Sequence, residues 1–309
     1  MLIDVADLDV IFLSYDEPNA DENWADLKSK VPWATRVHGI DGSDAAHRAA
    51  GEASNTERFI LVDGDNKVKE NFFNLQLNLT SVSRNATLRW RGLNNINGLM
   101  YGNGGLSCWT KDFVANMNSH ENSNPTDKAS LVEFCYGGNH GEYLALNGCF
   151  STTYNNKTPY QAWRAGFREG VKMCLDRGDK YNIETLQEQA VARNLDHLIV
   201  WMNIGADVDN GTWAMLGARQ GCEMTMCTDW DWVQVRDFKY LKSFWEENLQ
   251  QHEKDQDFAL QKCIDIGQKI KYKLQLPIID MPAEQSKFFK EFFVKKQSND
   301  VMELDNGRQ

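Results

Sequence analysis

Nothing in this 309-residue chain approaches the roughly 20 consecutive apolar residues that a membrane-spanning helix needs. Its longest apolar runs, Val10-Ile11-Phe12-Leu13 and Phe59-Ile60-Leu61-Val62, are the size of buried strands. The first residues, Met1 to Asp7, lack the basic start and long apolar core of a secretion signal, so a cytoplasmic protein without membrane attachment is expected. No two cysteines show C-x-x-C spacing. The seven present, an odd number, are expected to be buried free thiols, with Cys174 and Cys263 in apolar surroundings. Positive charge is scarce: the net charge is -11 and the pI near 5.1, which excludes a protein that holds nucleic acid by charge alone. Between Arg236 and Lys296 bases slightly outnumber acids, so the acidity lies earlier and room is left for a local basic groove. The G-x-G-x-x-G fingerprint is also missing. Gly102-Asn103-Gly104-Gly105 therefore reads as a tight turn, either structural or presenting backbone N–H groups to a sugar or phosphate.

What is present has a regular order. The run Val10 to Leu13 reads as a central strand, and Ser14-Tyr15-Asp16-Glu17-Pro18-Asn19 as the loop beyond its carboxyl end. A helix is expected over Asn23 to Lys30 and a strand over Arg36 to Ile40. A second helix starts near Ala45 with Ser43 or Asp44 as its cap, and a third strand, Phe59 to Val62, ends on Asp63. Strands alternating with helices predict an α/β fold with a mostly parallel central sheet, Rossmann-like and covered by helices. Ligands of such sheets sit beyond the carboxyl ends of the strands. Thr158-Pro159-Tyr160-Gln161 opens a further helix. Its apolar face is Trp163, Phe167, Val171 and Cys174, and Arg164, Arg168 and Lys172 form a basic stripe. The aromatics Trp230, Trp232, Phe238 and Tyr240 read as core. Residues 1–235 are expected to be the catalytic domain, and 236–309 a helical C-terminal extension with a disordered tail.

Asp63-Gly64-Asp65 is the sharpest local feature. Two carboxylates at the tip of an apolar strand are unfavourable unless a cation neutralises them. Their hard oxygens suit Mn²⁺ or Mg²⁺ bridging to a diphosphate, and a glycine between them lets a ligand approach the backbone. The plain alternative is a solvated Asp-Gly turn. A haloacid-dehalogenase-type phosphatase also uses D-x-D, but it wants Thr or Val where this chain has Lys67, and it places the motif after its first strand. A non-catalytic nucleotide-binding module on a degenerate transferase fold is the third reading.

Several segments together resemble a GT-A-type glycosyltransferase family of tailed bacteriophages. They are Phe12 to Asn19, Val37-His38-Gly39, Gly42 to His47, Val62 to Asn66, Asn97 to Gly105 and Trp163 to Glu169, spanning roughly residues 8–225. The resemblance implies transfer of a sugar, arabinose in some members, from a UDP-sugar to 5-hydroxymethylcytosine in DNA. It implies that Ser14, Tyr15 and Asp16 line a uridine pocket with Asp44 and His47 nearby. Asp63 would face the ribose or the metal and Asp65 the metal, Gly104 and Gly105 would flank the donor sugar, and Glu133 would be the acid/base residue. Arg164 and Arg168 would meet the diphosphate or acceptor phosphates, and His140, Asp229 or Asp231 could add a metal ligand.

Overall fold

The computed structural model describes residues 2–80, 82–102, 105–119, 122, 143–176, 178–184, 186–190 and 192–295. The strands in chain order are β1 (Leu2–Asp4), β2 (Asp9–Ser14), β3 (Thr35–His38), β4 (Arg58–Asp63) and β5 (Asn66–Val68). They continue with β6 (Gln76–Asn78), β7 (Thr87–Asn94), β8 (Met100–Tyr101), β9 (Leu106–Thr110) and β10 (Tyr143–Thr153). One sheet takes the order β3-β2-β4-β9-β7-β10-β5, with β8 added on β7, while β1 and β6 pair separately. Strands β3, β2 and β4 are parallel, as are β7 and β10. Strand β9 runs antiparallel to both of its neighbours, and β5 and β8 also run against theirs. The expected parallel sheet is thus present as two parallel blocks joined through one reversed strand, in an α/β arrangement.

The helices are α1 (Ala20–Lys30), α2 (Ser43–Ala53), α3 (Lys111–Asn116), α4 (Pro159–Lys172) and α5 (Leu186–Gln189). They are followed by α6 (Ala192–Asn203), α7 (Gly211–Cys227), α8 (Phe238–Asn248), α9 (Gln256–Leu274) and α10 (Ala283–Phe289). Strand β4 shows why its apolar run is continuous. Ile60 and Val62 pack with Leu27 and Val31 at α1, whereas Phe59 and Leu61 pack with Ala50 of α2 and Val114 of α3. A strand covered on both faces has no solvent side to keep polar.

The helix α4 starts as its sequence signals require. The Thr158 hydroxyl accepts from Gln161 N–H, Pro159 opens the first turn, and the Gln161 side chain accepts from Lys157 N–H, one residue before the cap. Helix α2 differs from expectation: its cap is Gly42, with φ 90° and no side chain to bond the first turn, and the Asp44 carboxylate accepts from Ser119 N–H instead. The apolar face of α4 joins α7, α8 and α9 in one cluster that includes Trp163, Trp213, Trp245 and Cys263, so residues on both sides of position 235 share a core. Cys174 and Cys263 are buried free thiols there, and burial raises the Cys263 thiol to about 11.

One charge lies inside that core. Arg219 is 1% exposed, donates to the carbonyls of Met202 and Cys263, and pairs with Asp280 at 2.6 Å. Replacing it with methionine strands these acceptors, so Arg219→Met is expected to lower stability by about 3 kcal/mol, read from the urea midpoint.

Candidate active site

The end of β4 is clamped on three sides. Asp63 N–H donates to the Gly105 carbonyl at 3.0 Å, Tyr154 N–H donates to the Asp65 carbonyl at 2.7 Å, and the Asn23 amide donates to the Gly64 carbonyl at 2.9 Å. The turn therefore holds its two carboxylates on a fixed backbone. The Asp65 carboxylate accepts from the Asn66 amide at 2.6 Å, and Asn66 in turn accepts from Thr153 Oγ1 at 3.0 Å. The buried Asn66 side chain lies where a Cβ on Gly105 would be, which explains the glycine there without invoking a sugar.

A third carboxylate enters from the β2–α1 loop. Glu17 Oε2 accepts from Tyr15 N–H at 2.8 Å and would lie 2.6 Å from a Cβ on Gly64. Burial pushes the Asp63 carboxyl well above the ordinary carboxylate range, helped by the charges of Asp65 and then Glu17. Burial, and then Glu17, raises Asp65 to about 6 against the pull of the Asn66 amide and Arg164. Stacked acidity of this kind is costly by itself and is relieved by a cation. Asp63 and Asp65 offer the hard oxygen donors that Mn²⁺ or Mg²⁺ takes, so the residues fit a metal. Among the described residues no group of three or more His, Cys, Asp or Glu side chains is placed to hold a metal ion.

Opposite the acids stands a ladder of cations and rings. Arg164 lies 5.3 Å from the Tyr160 ring and 5.2 Å from Phe238, Arg168 lies 4.8 Å from Phe238, and Lys242 lies 4.9 Å from Tyr160. Phe238, expected in the core, is 40% exposed beneath the two guanidinium groups, whereas Trp230 and Tyr240 pack against the core as expected. The stripe divides. Arg164 faces Asp65, whereas Arg168 and Lys172 flank Glu169, and their charges overcome its burial to hold that carboxyl low.

The other expected residues are placed as follows. Ser14 is buried, its Oγ accepting from Arg36 Nε at 3.0 Å and lying 2.9 Å from His38 Nδ1. Tyr15 and Asp16 are exposed beside the turn. Asp44 is buried and anchors another segment, accepting from Ser119 N–H and Asn122, each at 2.6 Å. Burial works to raise its carboxyl, but these donors outweigh it and hold it low. His47 hydrogen-bonds the Ser43 carbonyl and stands edge-on to Trp109, which pairs with Phe59 at the far end of β4 from Asp63. Asp44 and His47 thus both sit in the first turns of α2. Asp231 caps the turn at Val233. Gly104, Glu133 and His140 lie outside the described residues. Glu17 and Asn66 were missed as site residues; their signal was position, one in the loop beyond β2 and the other next to Asp65.

Gly64→Ala tests the packing of this turn. The new methyl would lie 2.6 Å from Glu17 Oε2 and 2.9 Å from Ser14 Cβ, so the loop must shift. Any activity that depends on this turn is expected to fall about 100-fold, as an ångström-scale misplacement does, while the melting temperature stays near that of the parent.

No family model matches the chain, and no curated protein matches it. Among solved structures it is similar to the crystal structure of a glycosyltransferase involved in the glycosylation of the major capsid of PBCV-1. Identity is 13% and the TM-score 0.27, over 47% of this chain and 92% of that one. No helix of the described residues is long and apolar enough to cross a membrane.

Proposed function

We propose that this chain is a metal-dependent glycosyltransferase that moves a sugar from a UDP-sugar to a hydroxyl acceptor. The observation that carries the reading is the pair Asp63 and Asp65. Both carboxyls are raised by burial and neighbouring charge at the carboxyl end of a central strand, with Arg164 facing Asp65. Mn²⁺ or Mg²⁺ held by these two would stabilise the charge of the departing diphosphate. The chain's own residues do the rest of the positioning. Asn66 orients Asp65, Glu17 supports the loop under Tyr15, and Arg164, braced between Tyr160 and Phe238, offers a fixed positive charge to diphosphate oxygens.

The favoured acceptor is 5-hydroxymethylcytosine in phage DNA, with arabinose as a candidate donor sugar and the cytoplasm of an infected bacterium as the setting. The cation–aromatic ladder supports it, because alternating guanidinium and ring faces suit phosphates and an unstacked base, and a base in duplex DNA must be flipped out to react. A thermal-shift screen of UDP-, GDP- and CDP-sugars with manganese, followed by incubation with hydroxymethylcytosine-containing DNA, tests the whole reading. Stabilisation by a UDP-sugar only when manganese is present, and a mass gain of one sugar on the DNA, are the expected results. Phosphate release from simple phosphomonoesters with no UDP binding would favour the phosphatase instead.

A further inference from the structure

A cavity of about 670 Å³ lies on another side of the same turn. It is bordered by the first turns of α1, by β5, by the segments after β7 and β10, and by the loop entering α7. Its volume is in the range of small-molecule sites, commonly about 300–1,000 Å³. None of the carboxylates of Asp63, Asp65 and Glu17 lines it. It touches the turn through the backbone. Asn23, a lining residue, donates to the Gly64 carbonyl, and Asn19 donates to the Tyr154 carbonyl at 2.7 Å.

The walls carry no surplus charge. Lys67 and Lys157 both reach Glu22, at 2.6 and 3.5 Å, so an anion would have to compete with that carboxylate for them. What remains is rich in amides. Asn95 donates to Asn156 at 3.3 Å, Asn156 donates to the Asp209 carbonyl at 2.8 Å, and Asn210 donates to the Asn156 carbonyl at 2.9 Å. Side-chain amides pair donor with acceptor in one group, which is what a ligand of alternating hydroxyls needs. One observation goes beyond this lining. Asn23 is 1% exposed, and its Oδ1 is buried with no hydrogen-bond partner among the described residues. Asn210, at the cavity edge, caps α7 with φ 56°, a left-handed backbone that asparagine tolerates.

The geometry points to a neutral, hydroxyl-rich ligand in this cavity: a saccharide bound apart from the metal and diphosphate residues. The inference goes beyond the transfer reading and does not need it, since no candidate metal ligand takes part.

The test uses the full chain without metal or nucleotide. Saturation-transfer NMR and calorimetry are run with glucose, galactose, arabinose and maltose, and with inorganic phosphate as the anionic control. At least one of the sugars is expected to bind with a Kd in the millimolar range or tighter, and phosphate is not expected to compete. Asn95→Ala and Thr212→Phe, one removing an amide and one filling the cavity, should each weaken the sugar about 10-fold, the worth of one or two hydrogen bonds. Asp65→Asn should leave it unchanged. Melting curves report whether Thr212→Phe folds, and where it does not, Asn95→Ala decides. Binding of none of the four sugars, binding of phosphate in their place, or sugar binding that survives both cavity variants overturns the inference. Separate titration of UDP with manganese shows whether the transfer reading stands or falls independently.

Discussion

Asp65→Ala is expected to abolish manganese-dependent stabilisation by UDP-sugar and to lower transfer by about 1,000-fold or more, the scale of removing a charge-stabilising group from a transferase site. The same change should make the metal-free protein more stable at neutral pH, and the sign follows from the shift. The Asp65 carboxyl is raised to about 6 in the folded chain, above its ordinary value of 3.8. The folded state therefore binds the proton more tightly than the unfolded one, so stability is highest below about pH 4 and is lost as pH rises toward 6. For this half-buried group the loss is of order 1–3 kcal/mol, and Asp63 is shifted in the same direction. Melting curves of parent, Asp65→Ala and Asp65→Asn across pH 4–8, with and without manganese, check both halves. If the substitutions destabilise the metal-free protein at pH 7.5, the carboxylate has a structural partner and the cation reading fails.

Gly166→Ala and Gly217→Ala are expected to cost about 3 kcal/mol each, at the upper end of what overpacking does because the obstacle is main chain. Helices α4 and α7 meet along Gly166 and Gly170 on one side and Gly217 and Gly221 on the other. A Cβ at Gly166 would overlap the Ala214 carbonyl, and one at Gly217 would overlap the Trp163 carbonyl. Neither carbonyl can turn aside as a side chain could. At roughly 2–4 °C per kcal/mol for a chain near this size, each melting temperature should drop by about 6–12 °C. Valine at either position should leave no soluble folded protein. The seam also carries Arg164, two residues before Gly166, so Gly166→Ala should lower transfer in protein still folded at 20 °C. A melting temperature within 2 °C of the parent for both alanine variants would contradict the seam.

Much of this was readable from residue order. Apolar runs of four that end in Asp or Ser marked β2 and β4, because a strand covered on both faces must be apolar throughout. Thr158-Pro159 marked α4, because a cap and a fixed φ act locally. What was not readable depends on contacts far apart in sequence. Nothing in Leu106 to Thr110 says that this strand is reversed between β4 and β7. Asp44 looked like a helix cap, and its true partners, Ser119 and Asn122, lie more than 70 residues away. Phe238 looked like core by composition, yet two arginines four residues apart on another helix cover its ring. Glu17 was visible as a loop residue, but its place against Gly64 needed the loop's path.

The reversed strand also limits how this molecule can vary. Because Leu106 pairs with Val62 and Gly105 meets Asp63, the Asp63-Gly64-Asp65 turn and the glycine beside it share one register. Dropping or adding a single residue within β9 would rotate its side chains to the opposite face and bring a bulkier neighbour against Asn66. Insertions and deletions are tolerable only outside that strand, and change within it is confined to substitution at constant length.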